Sequence, residues 1–109
     1  MTTEDELSSL HRYELQERYL ELTRGELPAL AMQRGWEIKD DHCFMRIILD
    51  RLFQDCWYNH LDVRLTAYKQ LTETQLRMCI SIAEELLEAD AESIGAWNHD
   101  SLRWRGRLR

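Results

Sequence analysis

The sequence predicts an all-α protein: a compact bundle of four to five helices, one long loop at about residues 59–71 and an extended tail over residues 101–109. Three observations carry that reading. One proline and four glycines in 109 residues leave little material for hairpins. Apolar residues recur three and four positions apart in several stretches. Capping residues stand where those stretches begin and end. A chain of this length supports one domain with one core, and 44% hydrophobic with 31% charged residues is an ordinary globular balance.

The first helix should start at a Thr2 or Thr3 cap, with Glu4, Asp5 and Glu6 complementing the helix dipole. Leu7, His11, Leu15, Tyr19 and Leu22 then form one buried stripe, while Glu14, Glu17 and Glu21 face water. Gly25 is a natural stop, and Pro28 suits the first turn of a short second helix closed by Arg34 and Gly35. A single helix kinked at Pro28 is the alternative. "WEIK" reads as a brief extended link, after which Asp40 or Asp41 caps a third helix running to about Tyr58. "NHLDVRLTAYKQL" lacks helical periodicity, and loops of such length are more often functional than idle. Thr72 and Gln75 make a capping box for a fourth helix with a core stripe of Leu76, Cys79, Ile80, Ala83 and Leu87. Asp90 caps a last short helix, "AESIGAW".

The stretch "DDHCFMRIILDRLFQDCWYNH" holds most of the chemistry. On a continuous helix, Met45, Ile48, Leu49, Leu52 and Cys56 share the core face. Phe44, Ile47 and Tyr58 form a second stripe, with Trp57 near the first. A helix apolar on most sides is central, covered by the rest of the chain or by a second subunit; internal cover is the favoured reading. Cys43 and Cys56 point apart and lie about 20 Å from each other along such a helix, too far to share a bond or a metal. His42 and His60, about 27 Å apart, fail as a pair too. Cys56 and His60 at i and i+4 make only half a zinc site, so no metal is expected. Cys43, in the first helical turn, is the candidate reactive thiol, favoured by the helix dipole and opposed by Asp40 and Asp41.

His42, Arg46 and Asp50 follow one another at intervals of four, and Arg51 and Asp55 are similarly placed. They read either as a solvated edge of ion pairs or as one wall of a polar groove, with Asp62, Arg64, Tyr68 and Lys69 of the loop opposite. In the tail "SLRWRGRLR", Arg103, Arg105, Arg107 and Arg109 alternate with Leu102, Trp104 and Leu108. If the tail is extended, it presents a cationic strip with Trp104 able to stack on a base.

At "DHCFMRIILD", "CWY", "AYKQL" and "SLRWRG" the chain resembles a group of short bacterial proteins with a similar run of motifs, over roughly residues 34–107. Some of these carry the label of GNAT-type acetyltransferases. That fold needs central strands and a pyrophosphate loop of the form R/Q-x-x-G-x-G/A, which this chain lacks. The resemblance therefore implies kinship without an activity.

The formal charge of −6 argues against a surface built wholly for nucleic acid. No apolar run approaches the ~20 residues of a membrane span, "MTTEDELSS" shows no secretory signal, and three cysteines fit a reducing cytoplasm. No complete catalytic constellation and no cofactor motif is present. The leading expectation is a small soluble binding or adaptor protein, acting through a protein partner or self-association. One alternative is a small enzyme or ligand binder using the His42, Arg46 and Asp50 edge; the other is nucleic-acid contact through the tail. The candidate binding residues are His42, Arg46, Asp50, Trp57, His60, Tyr68, Lys69, Trp104 and Arg105.

Overall fold

A computed structural model describes residues 4–106, with side chains from His11 onward. The Thr2/Thr3 cap, the Leu7 side chain and the tail residues Arg107, Leu108 and Arg109 lie outside what it describes. The described chain is all α: α1 Glu4–Leu20, α2 Leu27–Arg34, α3 Asp41–Phe53, α4 Glu73–Glu88 and α5 Ala91–Trp104, with 3-10 turns at Trp57–Asn59 and Ala67–Gln70. No helix among the described residues is long and apolar enough to cross a membrane.

Gly25 does not stop the first helix. A π-helical segment, Glu21–Glu26, joins α1 directly to α2. Pro28 has no N–H, and its ring conflicts with the carbonyl four residues back; widening the preceding turn absorbs both problems. The Leu27 N–H reaches back to the Leu22 carbonyl, the five-residue π step. Leu22 and Leu27 are thereby both fully buried. The buried Thr23 hydroxyl donates to the Tyr19 carbonyl at 2.9 Å. Tyr19 is buried as expected, but His11 is exposed, facing Glu73 at 3.9 Å rather than the core.

α3 is the central element, packed by α2, the π segment, α4 and α5. Phe44, Ile47, Ile48 and Leu49 are buried, so both of its apolar stripes are covered by the chain itself. It ends at Phe53, five residues before the expected Tyr58. Gln54 takes a left-handed conformation, φ 50°, and caps onto the Asp50 carbonyl. Beyond it the Trp57 N–H bonds the Asp50 side chain at 2.8 Å, a partner that rewards leaving the helix. Cys56 is buried from the following turn, not from the helix face, and Tyr58 is exposed.

α4 matches its sequence signals. Thr72 and Gln75 close the reciprocal capping box at 3.1 and 2.9 Å. Leu76, Cys79, Ile80, Ala83 and Leu86 are buried, with Leu87 only half-buried. Thr72→Ala is expected to cost about 1 kcal/mol, read as a lower urea midpoint at unchanged slope. Asp90 caps α5 by accepting from the Ser93 N–H at 2.8 Å. That helix does not stop at Trp97 but runs on to Trp104. The tail is therefore helical over residues 101–104, not extended. A helix replaces the alternation that would have put Arg103 and Arg105 on one strip.

Candidate functional site

The longer α5 brings its C-terminal end against α3, and one buried carboxylate organises the contact. Asp50 is fully buried, not on a solvated edge. It accepts from the Ser101 hydroxyl at 2.6 Å, from the Trp57 N–H at 2.8 Å, and from Arg105 Nε and Nη2 at 2.8 and 3.2 Å. The Arg105 side chain is only 7% exposed. Burial opposes its charge, but hydrogen bonds to Asp50 and Tyr58 prevail and its pKa is raised. Its guanidinium also lies 4.6 Å over the Tyr58 ring.

Arg46 does not pair with Asp50 or His42 along the helix. Its two terminal nitrogens donate to α5, at 2.7 Å to Ser101 Oγ and 2.7 Å to Asn98 Oδ1. Both acceptors are neutral. Among the described residues no carboxylate lies within ion-pair distance of Arg46. The expected Arg51–Asp55 pair is also replaced: Arg51 reaches Asp100 at 3.2 Å and stacks on Trp97, while Asp55 takes Asn59 and His60.

Above this network lies a cleft of about 350 Å³. α3 contributes His42, Met45, Arg46 and Leu49, a stripe at spacings of three and four. The turn after α3 contributes Trp57 and Tyr58, the long loop Thr66, Ala67 and Tyr68, and the end of α5 contributes Arg105. Tyr19 and Arg24 come from α1 and the π segment. Such π turns are frequent at functional sites because they redirect side chains a regular helix would place elsewhere. No carboxylate lines the cleft among the described residues. One buried carboxylate beneath two guanidiniums, together with Arg24, leaves it positive in an acidic protein. Burial raises the pKa of Tyr19, which therefore stays a neutral phenol.

Of the nine residues singled out from sequence, His42, Arg46, Trp57, Tyr68 and Arg105 share this cleft, with Asp50 directly beneath. The other three lie elsewhere. His60 stacks on Phe53 at 4.5 Å and faces Asp55 at 3.1 Å. Lys69 is exposed, offering only its carbonyl to Arg12. Trp104 is half-buried outside the lining. Tyr19, Arg24, Tyr58, Asn98 and Ser101 were not singled out. Tyr19, Tyr58 and Ser101 carry no sequence mark separating them from core, rim or helix residues. Arg24, beside the one proline-strained turn, had a signal in the Gly25/Pro28 conflict.

The three cysteines are free. Burial pushes the Cys79 thiol up to about 12, which makes it inert. Cys43 is half-buried at the start of α3, where its sulfur, an Asp40 oxygen and a His42 nitrogen lie within 4.8 Å of one another. Asp40 and His42 are both exposed there. Cys56 and His60 are not on one helix, so the proposed half-site lost its geometry when α3 ended at Phe53.

No protein-family model matches the chain, and no curated protein or solved structure shows significant similarity to it.

Proposed function

We propose that the protein is a small binding protein whose cleft takes a small anionic ligand. One observation carries the reading: Arg46 is a part-buried cation held in place by two neutral acceptors and open to the cleft. A guanidinium has five N–H donors, and only two are spent on α5, so three remain for an incoming anion. Fixing the group in advance removes most of the entropy that a flexible arginine loses on binding. Arg24 adds to the same field, whereas Arg105 is paired with Asp50 beneath the cleft. Three free thiols suit a reducing compartment, and a cytoplasmic metabolite is the natural source of such a ligand.

Binding is favoured over acid–base catalysis by the state of Asp50. Its oxygens are occupied by four donors and it is shut off from solvent, so it forms no working pair with His42. Nucleic-acid contact through the tail is less favoured, because Arg103 pairs with Asp100 at 3.3 Å and Arg105 with Asp50. A role through a protein partner rests on no comparable feature.

The test is an NMR titration of the 15N-labelled protein with acetate and with inorganic phosphate at low ionic strength. Shifts are expected to concentrate at Arg46, Trp57, Tyr68 and Arg105 and to weaken with added chloride. Arg46→Gln should abolish them while folding stability changes by no more than about 1–2 kcal/mol. Shifts confined to other surfaces, or unchanged in the variant, would reject the reading.

A further inference from the structure

We infer that the ligand is an aromatic carboxylate, a single flat ring or fused pair carrying one short acidic arm. This rests on the anion-binding reading above and goes further by naming the body of the ligand and the chemistry of its charged group.

The body follows from the walls. Trp57, Tyr58 and Tyr68 all reach the cleft, and Met45 and Leu49 complete an apolar floor. Trp57 and Tyr58 meet edge to face, with centroids 4.7 Å apart and planes at 80°, so each ring fixes the orientation of the other. Arg105 lies over the Tyr58 ring at 4.6 Å, yet that tyrosine remains 54% exposed. A ring held by a cation, flanked by a tryptophan and still open to water is a prepared stacking surface. Aromatic pairs of this kind add to binding beyond the area they bury. A volume of about 350 Å³ stands at the small end of ligand pockets, which run from roughly 300 to 1,000 Å³. One or two fused rings with a short arm fit there, and a dinucleotide or a lipid chain does not.

The charged group follows from how the anion is held. Phosphate sites are commonly cradled by backbone N–H groups at glycine-rich turns. No glycine lines this cleft. The holding groups are side chains, chiefly the planar guanidinium of Arg46, anchored on α5 at one side. A planar guanidinium edge pairs with either a carboxylate or a phosphate through two parallel hydrogen bonds, and it is the lack of a glycine-rich backbone cradle that favours the smaller charge of a carboxylate. Arg46 and the aromatic residues border the same cleft, so one short molecule spans both.

Isothermal titration of the full chain with matched probes tests this: phenylacetate and indole-3-acetate against acetate, cyclohexylacetate, 2-phenylethanol and phenyl phosphate. Both aromatic acids are expected to bind about tenfold or more tighter than acetate, 2-phenylethanol and phenyl phosphate, and measurably tighter than cyclohexylacetate. Arg46→Gln should remove the preference for the acid over the alcohol. Tyr58→Leu, at a residue 54% exposed, should remove the preference for phenylacetate over cyclohexylacetate while the helical circular dichroism and the binding of acetate are retained. If acetate binds as tightly as the aromatic acids, the inference fails while the anion-binding reading stands. Tighter binding of phenyl phosphate overturns the carboxylate assignment in the same way. If no anion binds at all, the anion-binding reading falls and this inference with it.

Discussion

Asp50→Ala is expected to destabilise the fold by about 3–5 kcal/mol, the range for breaking one side of a buried ion pair. The carboxylate is fully buried and answers four donors at once. Its removal strands the Arg105 guanidinium, only 7% exposed, without a counter-charge. It also leaves the Trp57 N–H and the Ser101 hydroxyl without their acceptor. A domain of this size has roughly 5–15 kcal/mol of stability in total, so the variant should be close to its folding threshold. Chemical denaturation gives the number directly. The mechanism is tested by the Asp50→Ala, Arg105→Ala double variant. If the stranded charge dominates, the double variant loses clearly less than the sum of the two single losses. Simple additivity would show that the loss lies in the other two donors instead.

Asp50 also shows why part of this structure was not legible in the sequence. Its spacing from Arg46 is that of an ordinary helical ion pair, and on a solvated edge it would be one. What buries it is the end of α5, some fifty residues later, together with the early stop of α3 at Gln54. Neither event has a strong local signal. "SLRW" alternates like a strand, and Gln54 is neither glycine nor asparagine. By contrast, the capping box at Thr72 and Gln75, the Asp90 cap and the Gly35 stop are local by nature. Their chemistry is complete within four residues, so they could be read in advance and stand as read. The candidate site divides along the same line. The α3 stripe of His42, Arg46 and Leu49 is periodic and visible; Tyr58, Ser101 and Asn98 join it only through tertiary contact. The π segment lies between these cases. A proline conflict was visible at Pro28, but whether the chain would break, kink or widen depended on Leu22 and Leu27 both finding the core.

Phe44→Ala is the second large expected effect, again about 3–5 kcal/mol, here from a cavity rather than a charge. Phe44 is fully buried on α3, with its ring centroid 6.4 Å from that of Trp36, itself 3% exposed. α3 touches α2, α4, α5 and the π segment, so its neighbours are held from several directions. A site fixed on all sides collapses poorly around a missing ring, which puts the loss toward the upper part of the range. Phe44→Leu keeps most of the volume and should lose much less. The readout that separates packing from global unfolding is the near-ultraviolet circular dichroism of the aromatic side chains, to which Trp36 contributes. In Phe44→Ala at low denaturant it should weaken while the far-ultraviolet helical signal is retained. The cleft wall formed by His42, Arg46 and Leu49 lies on the same helix, displaced around its axis from Phe44. A rigid α3 therefore carries the core and the site on different sides, and a ligand that binds the cleft should raise the melting temperature of Phe44→Ala as well as that of the parent chain. A stabilised parent beside an unresponsive variant would show instead that loosening the core deforms the cleft.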